Sequence, residues 1–164
     1  WRERKIVDDP DQAEKHLMQI FAGANGLVFV TAESGSIFRS EDAGRTWKAI
    51  QTDNKGSFWT GRALADGGLL VAGMRGHVYR SDDRGNNWTK VASGTQQSIT
   101  GIDQRSDGSV VMVGNSGIVL ASPDGGRSFS IAIRPDRANL TAIVARSAGD
   151  AIFGLTGVIA PVAK

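Results

Sequence analysis

The chain has 164 residues, 19 basic and 17 acidic, for a formal net charge of +2 with both signs mixed along its length. A surface so balanced lacks the field that draws proteins to nucleic acid or anionic membranes, so neither is expected as a partner. The absence of cysteine excludes disulfides, a thiolate nucleophile and cysteine metal sites, and no apolar run is long enough for membrane insertion.

The first segment, Trp1-Arg2-Glu3-Arg4-Lys5-Ile6-Val7, is similar to Trp47-Lys48-Ala49-Ile50 and Trp88-Thr89-Lys90-Val91 farther on. Residues 1–7 therefore read as an outer strand without the rest of its sheet. Residues 8–16 read as a polar insert able to form a short helical turn. From residue 17 the chain repeats with a period of 41. Leu17, Phe58, Ile99 and Leu140 share one column, and Gly26, Gly67, Gly108 and Gly149 another. Asn25-Gly26, Asp66-Gly67 and Asp107-Gly108 sit between short apolar runs and accept the positive φ angles of hairpin turns; Ala148-Gly149 is a weaker version. Gly35, Gly76 and Gly117 mark a second turn. The first copy is expected to have strands near 17–22, 27–32, 36–39 and 46–51, with Leu27, Phe29 and Ile37 at half-buried sheet positions. Full units run over 17–57, 58–98 and 99–139. The fourth, 140–164, supplies three strands and ends before any box. It loses one residue between Gly149 and Gly154, which keeps Gly157 in the column of Gly117.

A fixed period of this size marks an array of units that bury their apolar faces by stacking on one another. Four antiparallel strands in about 41 residues make the blade of a β-propeller, so the expected class is all-β, a partial β-propeller. The chain opens on what reads as the last residue of a box, which suggests the C-terminal part of a larger propeller. Residues 1–7 and 140–161 are complementary pieces of one blade, and two chains joined head to tail, a homodimer, are expected to close a ring of eight.

Between the third and fourth strands of each full unit stands an eight-residue box: Ser40 to Trp47, Ser81 to Trp88 and Ser122 to Phe129. Its Asp42, Asp83 or Asp124 invites a reading as acid or metal ligand. A carboxylate in a tight loop also accepts bonds from its own backbone amides, with Gly44, Gly85 and Gly126 at the left-handed corner and Trp47, Trp88 and Phe129 packing between sheets. Recurrence in every unit favours the structural role, because a catalytic site is needed once. No cofactor and no metal site are expected.

These phrases resemble Asp-box, or BNR, repeats, whose pattern is Ser-x-Asp-x-Gly-x-Thr-Trp. Ser40, Asp42, Gly44, Thr46 and Trp47 satisfy it fully; the second copy has Asn87 for Thr, and the third has Ser128 and Phe129 in the last two places. Uniform blades and the run Gly-x-x-Gly-x-apolar-x-x-Ser, as in Gly73 to Ser81 and Gly114 to Ser122, most resemble the photosystem II stability and assembly factor-like family. The resemblance implies a non-catalytic scaffold that helps a membrane-protein complex assemble, binding a protein partner such as a membrane-protein subunit. It also implies a bacterial, periplasmic or otherwise extracytoplasmic setting.

The alternative is a glycoside hydrolase of the sialidase-like Asp-box class with catalytic residues partly outside this chain. Sialidases use a tyrosine nucleophile with a glutamate and three arginines. Tyr79 is the one tyrosine here, and its column, shared with Phe38 and Leu120, reads as sheet packing. Arg39 and Arg80 share one column and Arg45 and Arg127 another, which suggests blade-surface roles. No catalytic residue is assigned. His16 and His77, unpaired in spacing, read as solvated or structural, and Asp8, Asp9 and Asp11 as an exposed acidic loop.

Propellers bind partners on the face built by inter-blade loops and by the turns between second and third strands. Here these are residues 8–16, 52–57, 92–98 and 133–139, with turns near Arg75 and Asn115. Lys55, Arg75, Arg134 and Arg137 fall on that face, where arginine suits the grip of peptide carboxylates. Trp59, beside Phe58, either lines the channel mouth or packs between blades. These five residues are the expected partner-binding set, with Asp53 and Asp136 as acids able to leave the same charges merely solvated.

Overall fold

The computed structural model describes Ile6 and residues 14–159. The remainder of the outer strand expected over 1–7, the insert's residues 8–13 and the terminal residues 160–164 lie outside the described residues. Fifteen strands in the described residues form four antiparallel sheets, each a simple meander. The first contains β1 (Leu17–Ala22), β2 (Val28–Ala32), β3 (Ser36–Ser40) and β4 (Lys48–Gln51). The second contains β5 (Phe58–Ala63), β6 (Leu69–Gly73), β7 (Val78–Ser81) and β8 (Thr89–Val91). The third contains β9 (Ile99–Gln104), β10 (Val110–Gly114), β11 (Ile118–Ser122) and β12 (Ser130–Ile133). The fourth contains β13 (Leu140–Val144), β14 (Ala151–Gly154) and β15 (Gly157–Ile159). First strands lie side by side, β1 by β5, β5 by β9 and β9 by β13, so the sheets follow one another as propeller blades with these strands innermost.

Three apolar seams hold the blades together. Phe21, Leu27, Phe29 and Ile37 of blade 1 meet Phe58, Leu69, Val71 and Tyr79 of blade 2. Leu70, Ala72 and Val78 of blade 2 meet Ile99, Val110, Met112 and Leu120 of blade 3. Val111 and Val113 of blade 3 meet Leu140, Ile143, Ile152 and Ile159. Each seam thus joins the downstream face of one blade to the upstream face of the next. Middle strands β6 and β10 are buried along their whole length. This corrects the expectation of half-buried strands, since a blade has a neighbour on both faces and neither meets water. At about 1.5–3 kcal/mol for each fully buried large aliphatic or aromatic side chain, the seams are the main source of stability.

Turns follow the glycine columns. At Ser34-Gly35, Arg75-Gly76 and Ser116-Gly117 two successive residues are left-handed, with φ 55° and 70°, 56° and 70°, and 56° and 70°. Glycine is required there on two grounds, because a Cβ at Gly35 or Gly76 would also overlap the backbone carbonyl of Asn54 or Thr95 in the adjoining inter-blade loop. In the fourth blade Gly154 pairs with Gly157, whereas Val113 of blade 3 pairs with Val119. Gly157 therefore stands in the place of Ile118, not of Gly117 as the repeat spacing suggested: the hairpin has shortened to Leu155-Thr156.

The boxes are self-contained loops. Asp42 Oδ1 accepts from the amides of Arg45 (2.9 Å) and Thr46 (2.8 Å) and from Ser40 Oγ (2.8 Å), while Oδ2 accepts from Thr46 Oγ1 (2.7 Å). Ser40 Oγ in turn accepts from the Gly44 amide (2.8 Å). Asp124 repeats the pattern through Ser122, Arg127 and Ser128, and Asp83 through Ser81 and Asn87. Trp47, Trp88 and Phe129 are half-buried rather than enclosed, and Trp47 and Trp88 donate Nε1–H to Gly44 and Gly85 carbonyls at 3.2 Å.

The structure corrects the surface role expected for Arg39 and Arg80. Both are buried. Arg39 Nε donates to the carbonyl of Arg84 in the next box (2.7 Å), and Arg80 Nη1 donates to the carbonyl of Gly125 in the box after that. Arg80 also pairs with Asp66 (2.9 Å) and Asp82 (2.6 Å). Each arginine ties the third strand of one blade to the box of the next, a role that spacing within a single blade could not show.

Two outcomes are expected. Gly76→Ala and Gly67→Ala both place alanine at positive φ, a cost of about 1–2 kcal/mol. Gly67 has open space around it whereas Gly76 abuts Thr95, so Gly76→Ala is expected to cost at least about 1 kcal/mol more in denaturant unfolding. The second concerns acid. Bonds from Thr46 and Ser40 hold Asp42 below the ordinary carboxylate range, those from Asn87 and Ser81 hold Asp83 there, and those from Ser128 and Ser122 hold Asp124 there. A depressed folded pKa stabilises the protein above the unfolded value of about 3.9, and that stability is lost as pH falls below it. The melting temperature is expected to drop between about pH 5 and pH 2, and to drop less steeply in Asp124→Asn.

Candidate partner-binding site

The second-turn column and the inter-blade loops meet on one face. Gly35 N–H donates to the Gly56 carbonyl (2.8 Å), Met74 N–H to that of Ser57 (3.0 Å) and Asn115 N–H to that of Ser98 (2.9 Å). Thr52 and Ser93 hydroxyls cap the turns by donating to the carbonyls of Gly35 (2.9 Å) and Gly76 (2.6 Å). In the third unit the same place belongs to Arg134, whose backbone N–H bonds the Gly117 carbonyl (2.9 Å).

Lys55 and Arg75 come together here, in a cleft of about 200 Å3 whose lining includes Glu33, Ser34, Met74 and His77. Arg75 stands at the left-handed apex of its turn, so its side chain is thrust outward from a fixed backbone. Both cations are exposed, and neither has an ion pair among the described residues. Arg75 also borders a second cleft of about 380 Å3 beside Lys90 and Gln96. The acid at the rim, Glu33, is occupied by the His16 backbone N–H (3.1 Å) and ring Nδ1 (3.1 Å). These bonds lower its pKa.

Sequence reasoning missed the buried residue that holds His77 in the cleft wall. Asn54 is buried, donates Nδ2–H to the Gly56 carbonyl (2.9 Å), accepts from the Gly56 amide (3.1 Å) and stands 2.5 Å from His77 Nδ1. Burial, then the nearby Lys90 and Arg75 charges, push the His77 pKa down, which disfavours a charge there and leaves Lys55 and Arg75 as the cleft's cations. An asparagine in a polar loop looks like ordinary turn chemistry, so its burial had no signature in the sequence.

The other expected residues are elsewhere. Arg134 is 9% exposed in its side chain and grips Asp136 through Nε (3.1 Å) and Nη2 (2.7 Å), a local clamp of its own loop. Arg137 is exposed in the same loop with φ 49°. It shares a repeat column with Lys55 and Gln96 at the loop tips. Trp59 is half-buried on β5, where the pairing with β6 shifts register between Phe58 and Thr60. Arg45 and Arg127 lie in the box loops, and Arg127 pairs with Asp82 (3.1 Å). Tyr79 is buried, donates its hydroxyl to Asp53 Oδ1 (2.6 Å) and has its pKa pushed up by burial and that carboxylate, the reverse of what a nucleophile needs.

Comparison with known proteins gives this geometry its context. No curated protein matches the chain in sequence. Among solved structures, YCF48 bound to D1 peptide is 18% identical, with a TM-score of 0.66 over 93% of this chain and 49% of that one. YCF48 from Cyanidioschyzon merolae is 14% identical, with a TM-score of 0.54 over 92% and 68%. A virginiamycin B lyase from Staphylococcus aureus, an enzyme, is 20% identical, with a TM-score of 0.74 over 89% and 50%. At such identities likeness to these structures establishes the fold, a β-propeller, and the chain spans about half the length of the peptide-bound YCF48. The family of the photosynthesis system II assembly factor YCF48 matches residues 1–121, nearly three quarters of the sequence, and the chain belongs to that family.

Proposed function

We propose that the protein is a non-catalytic scaffold that binds an acidic segment or terminal carboxylate of a protein partner in the Lys55–Arg75 cleft. The observation that carries this reading is the pairing of two exposed cations, free of ion pairs among the described residues, in a cleft whose His77 is held by the buried Asn54. Arg137, at the tip of the inter-blade loop between blades 3 and 4, adds a second exposed cation site on the same face. The peptide in the matched YCF48 structure supports a peptide as the class of ligand. By family resemblance the partner is a subunit of a membrane-protein complex and the protein assists its assembly or stability outside the cytoplasm; cell fractionation checks the compartment. The commitment of Tyr79 to Asp53 argues against glycosidase chemistry, and turnover of a sialoside abolished by Tyr79→Phe would overturn that view.

The test is direct titration of a D1 peptide against the 164-residue chain by calorimetry. A charge-assisted bond is worth about 1.5–3 kcal/mol, so Lys55→Glu and Arg75→Glu are each expected to weaken binding by about tenfold or more. Arg45→Glu, on the box loops, is expected to leave it near the parent value. Affinity should fall as salt rises. Equal losses at Arg45 and Arg75 would remove the basis for assigning this face.

A further inference from the structure

The first hairpin turn differs chemically from its repeats. Of the six asparagines in the chain, Asn25 is the one followed by glycine. Asn25 and Gly26 are both exposed and both left-handed, with φ 55° and 77°. Leu27 N–H donates to the Ala24 carbonyl (3.2 Å), which makes them the two central residues of a tight hairpin turn. The peptide group between them makes no hydrogen bond among the described residues, and neither does the Asn25 side chain. In the repeats this nitrogen is occupied: Gly67 N–H donates to the Leu64 carbonyl and Gly108 N–H to that of Arg105, each at 3.0 Å.

Space around the turn favours reaction there. A Cβ added at Gly26 would have just the Glu41 carbonyl near it, at 3.8 Å, so a ring has room to close. Elsewhere the nitrogen that follows an asparagine is held. Ser116 N–H, after Asn115, donates to Asn139 Oδ1 (2.9 Å), and Asn87 N–H, after Asn86, donates to Asp83 Oδ1 (2.9 Å). Asn54 is buried, with its side-chain amide engaged by Gly56.

We infer that Asn25 is a site of spontaneous deamidation through a succinimide closed by the Gly26 nitrogen. That nitrogen bonds to Asn25 Cγ, its proton goes to the departing side-chain amide group, and ammonia leaves. Water then opens the ring at one of its two carbonyls. Opening at Cγ leaves aspartate; opening at the backbone carbonyl leaves isoaspartate, with the main chain rerouted through Cβ and Cγ. The two products differ in effect. Aspartate before glycine suits the same turn as asparagine before glycine. Isoaspartate adds a methylene to the main chain inside a turn whose length sets the pairing of Ala22 with Val28, in the hairpin that supplies Phe21, Leu27 and Phe29 to the first seam. The turn lies with the boxes, where Ala43 N–H donates to the Gly26 carbonyl (3.1 Å), and so apart from the Lys55–Arg75 cleft.

Incubation of the folded 164-residue chain at mildly alkaline pH, followed by peptide mapping in a mass spectrometer, tests this. Asn25 is expected to convert first among the six asparagines and to give isoaspartate as well as aspartate, told apart by electron-transfer fragmentation. A side chain on the attacking residue crowds the ring, so Gly26→Ala should slow the conversion by about tenfold or more. Asn25→Asp, made directly, should keep the parent's melting temperature, whereas aged parent rich in isoaspartate should melt lower. Conversion of Asn115 or Asn86 ahead of Asn25, an unchanged rate in Gly26→Ala, or aspartate as the sole product would overturn the proposal. Aged parent that melts with the fresh protein would overturn the effect on the seam. None of these readouts depends on peptide binding, so this inference and the Lys55–Arg75 reading fail separately.

Discussion

The seam between consecutive sheets is the constraint on which the rest of this protein depends. A three- or four-stranded sheet of this size cannot bury both of its faces alone. Here the middle strands are apolar on both sides, so each blade is stable only between neighbours. Phe29 shows how far this goes. Its ring stacks on Phe21 at 5.2 Å and meets Trp88 of the next blade edge-on at 6.4 Å, joining an inner strand, a middle strand and the following box. The conformation of one blade is thereby set partly by the side chains of another.

Polar groups make the stacking specific where apolar contact alone would let blades slide. Gln19 Oε1 accepts from the Gly61 amide (2.8 Å), Asp103 Oδ2 from the Ala145 amide (2.8 Å) and Gln104 Oε1 from the Ala65 amide (2.8 Å), each across a seam. Near the box loops Arg39 and Arg80 do the same from beneath. A buried guanidinium with fewer partners would be costly, and Arg80 offsets that cost with two carboxylates and a carbonyl. The boxes therefore have a second use: beyond closing their own loops, they present carbonyls at Arg84 and Gly125 for the preceding blade to hold.

The loop face inherits its rigidity from that frame. Paired left-handed residues fix each second turn, inter-blade loops bond back onto those turns, and the side chains projecting from them are then free to serve a partner. Arg75 shows the freedom and Arg134 its limit. The two sit on the same face, yet Arg75 stands at a turn apex and Arg134 fills the place of a capping hydroxyl, folded onto Asp136. Functional variation is open at the loop tips because the architecture leaves nothing there to stabilise.

The order of strands, the blade as the unit, the turns at the glycine columns and the loops at Asp42, Asp83 and Asp124 were all legible in the sequence. They rest on local chemistry: glycine's access to positive φ, the alternation of a strand, and an aspartate bonding amides two to four residues away. What the tertiary structure decided are relations between blades. Arg39 and Arg84, Asn54 and His77, and Lys55 and Arg75 lie from 20 to 45 residues apart in sequence. Their meeting depends on how one sheet sits on the next, which a repeat period specifies as a rule of stacking but not as particular atoms in reach. Leu17 and Phe58 occupy one column and are the same kind of residue to the sequence. Phe58 is buried and Leu17 half exposed because one has a blade against it and the other has none in the chain described.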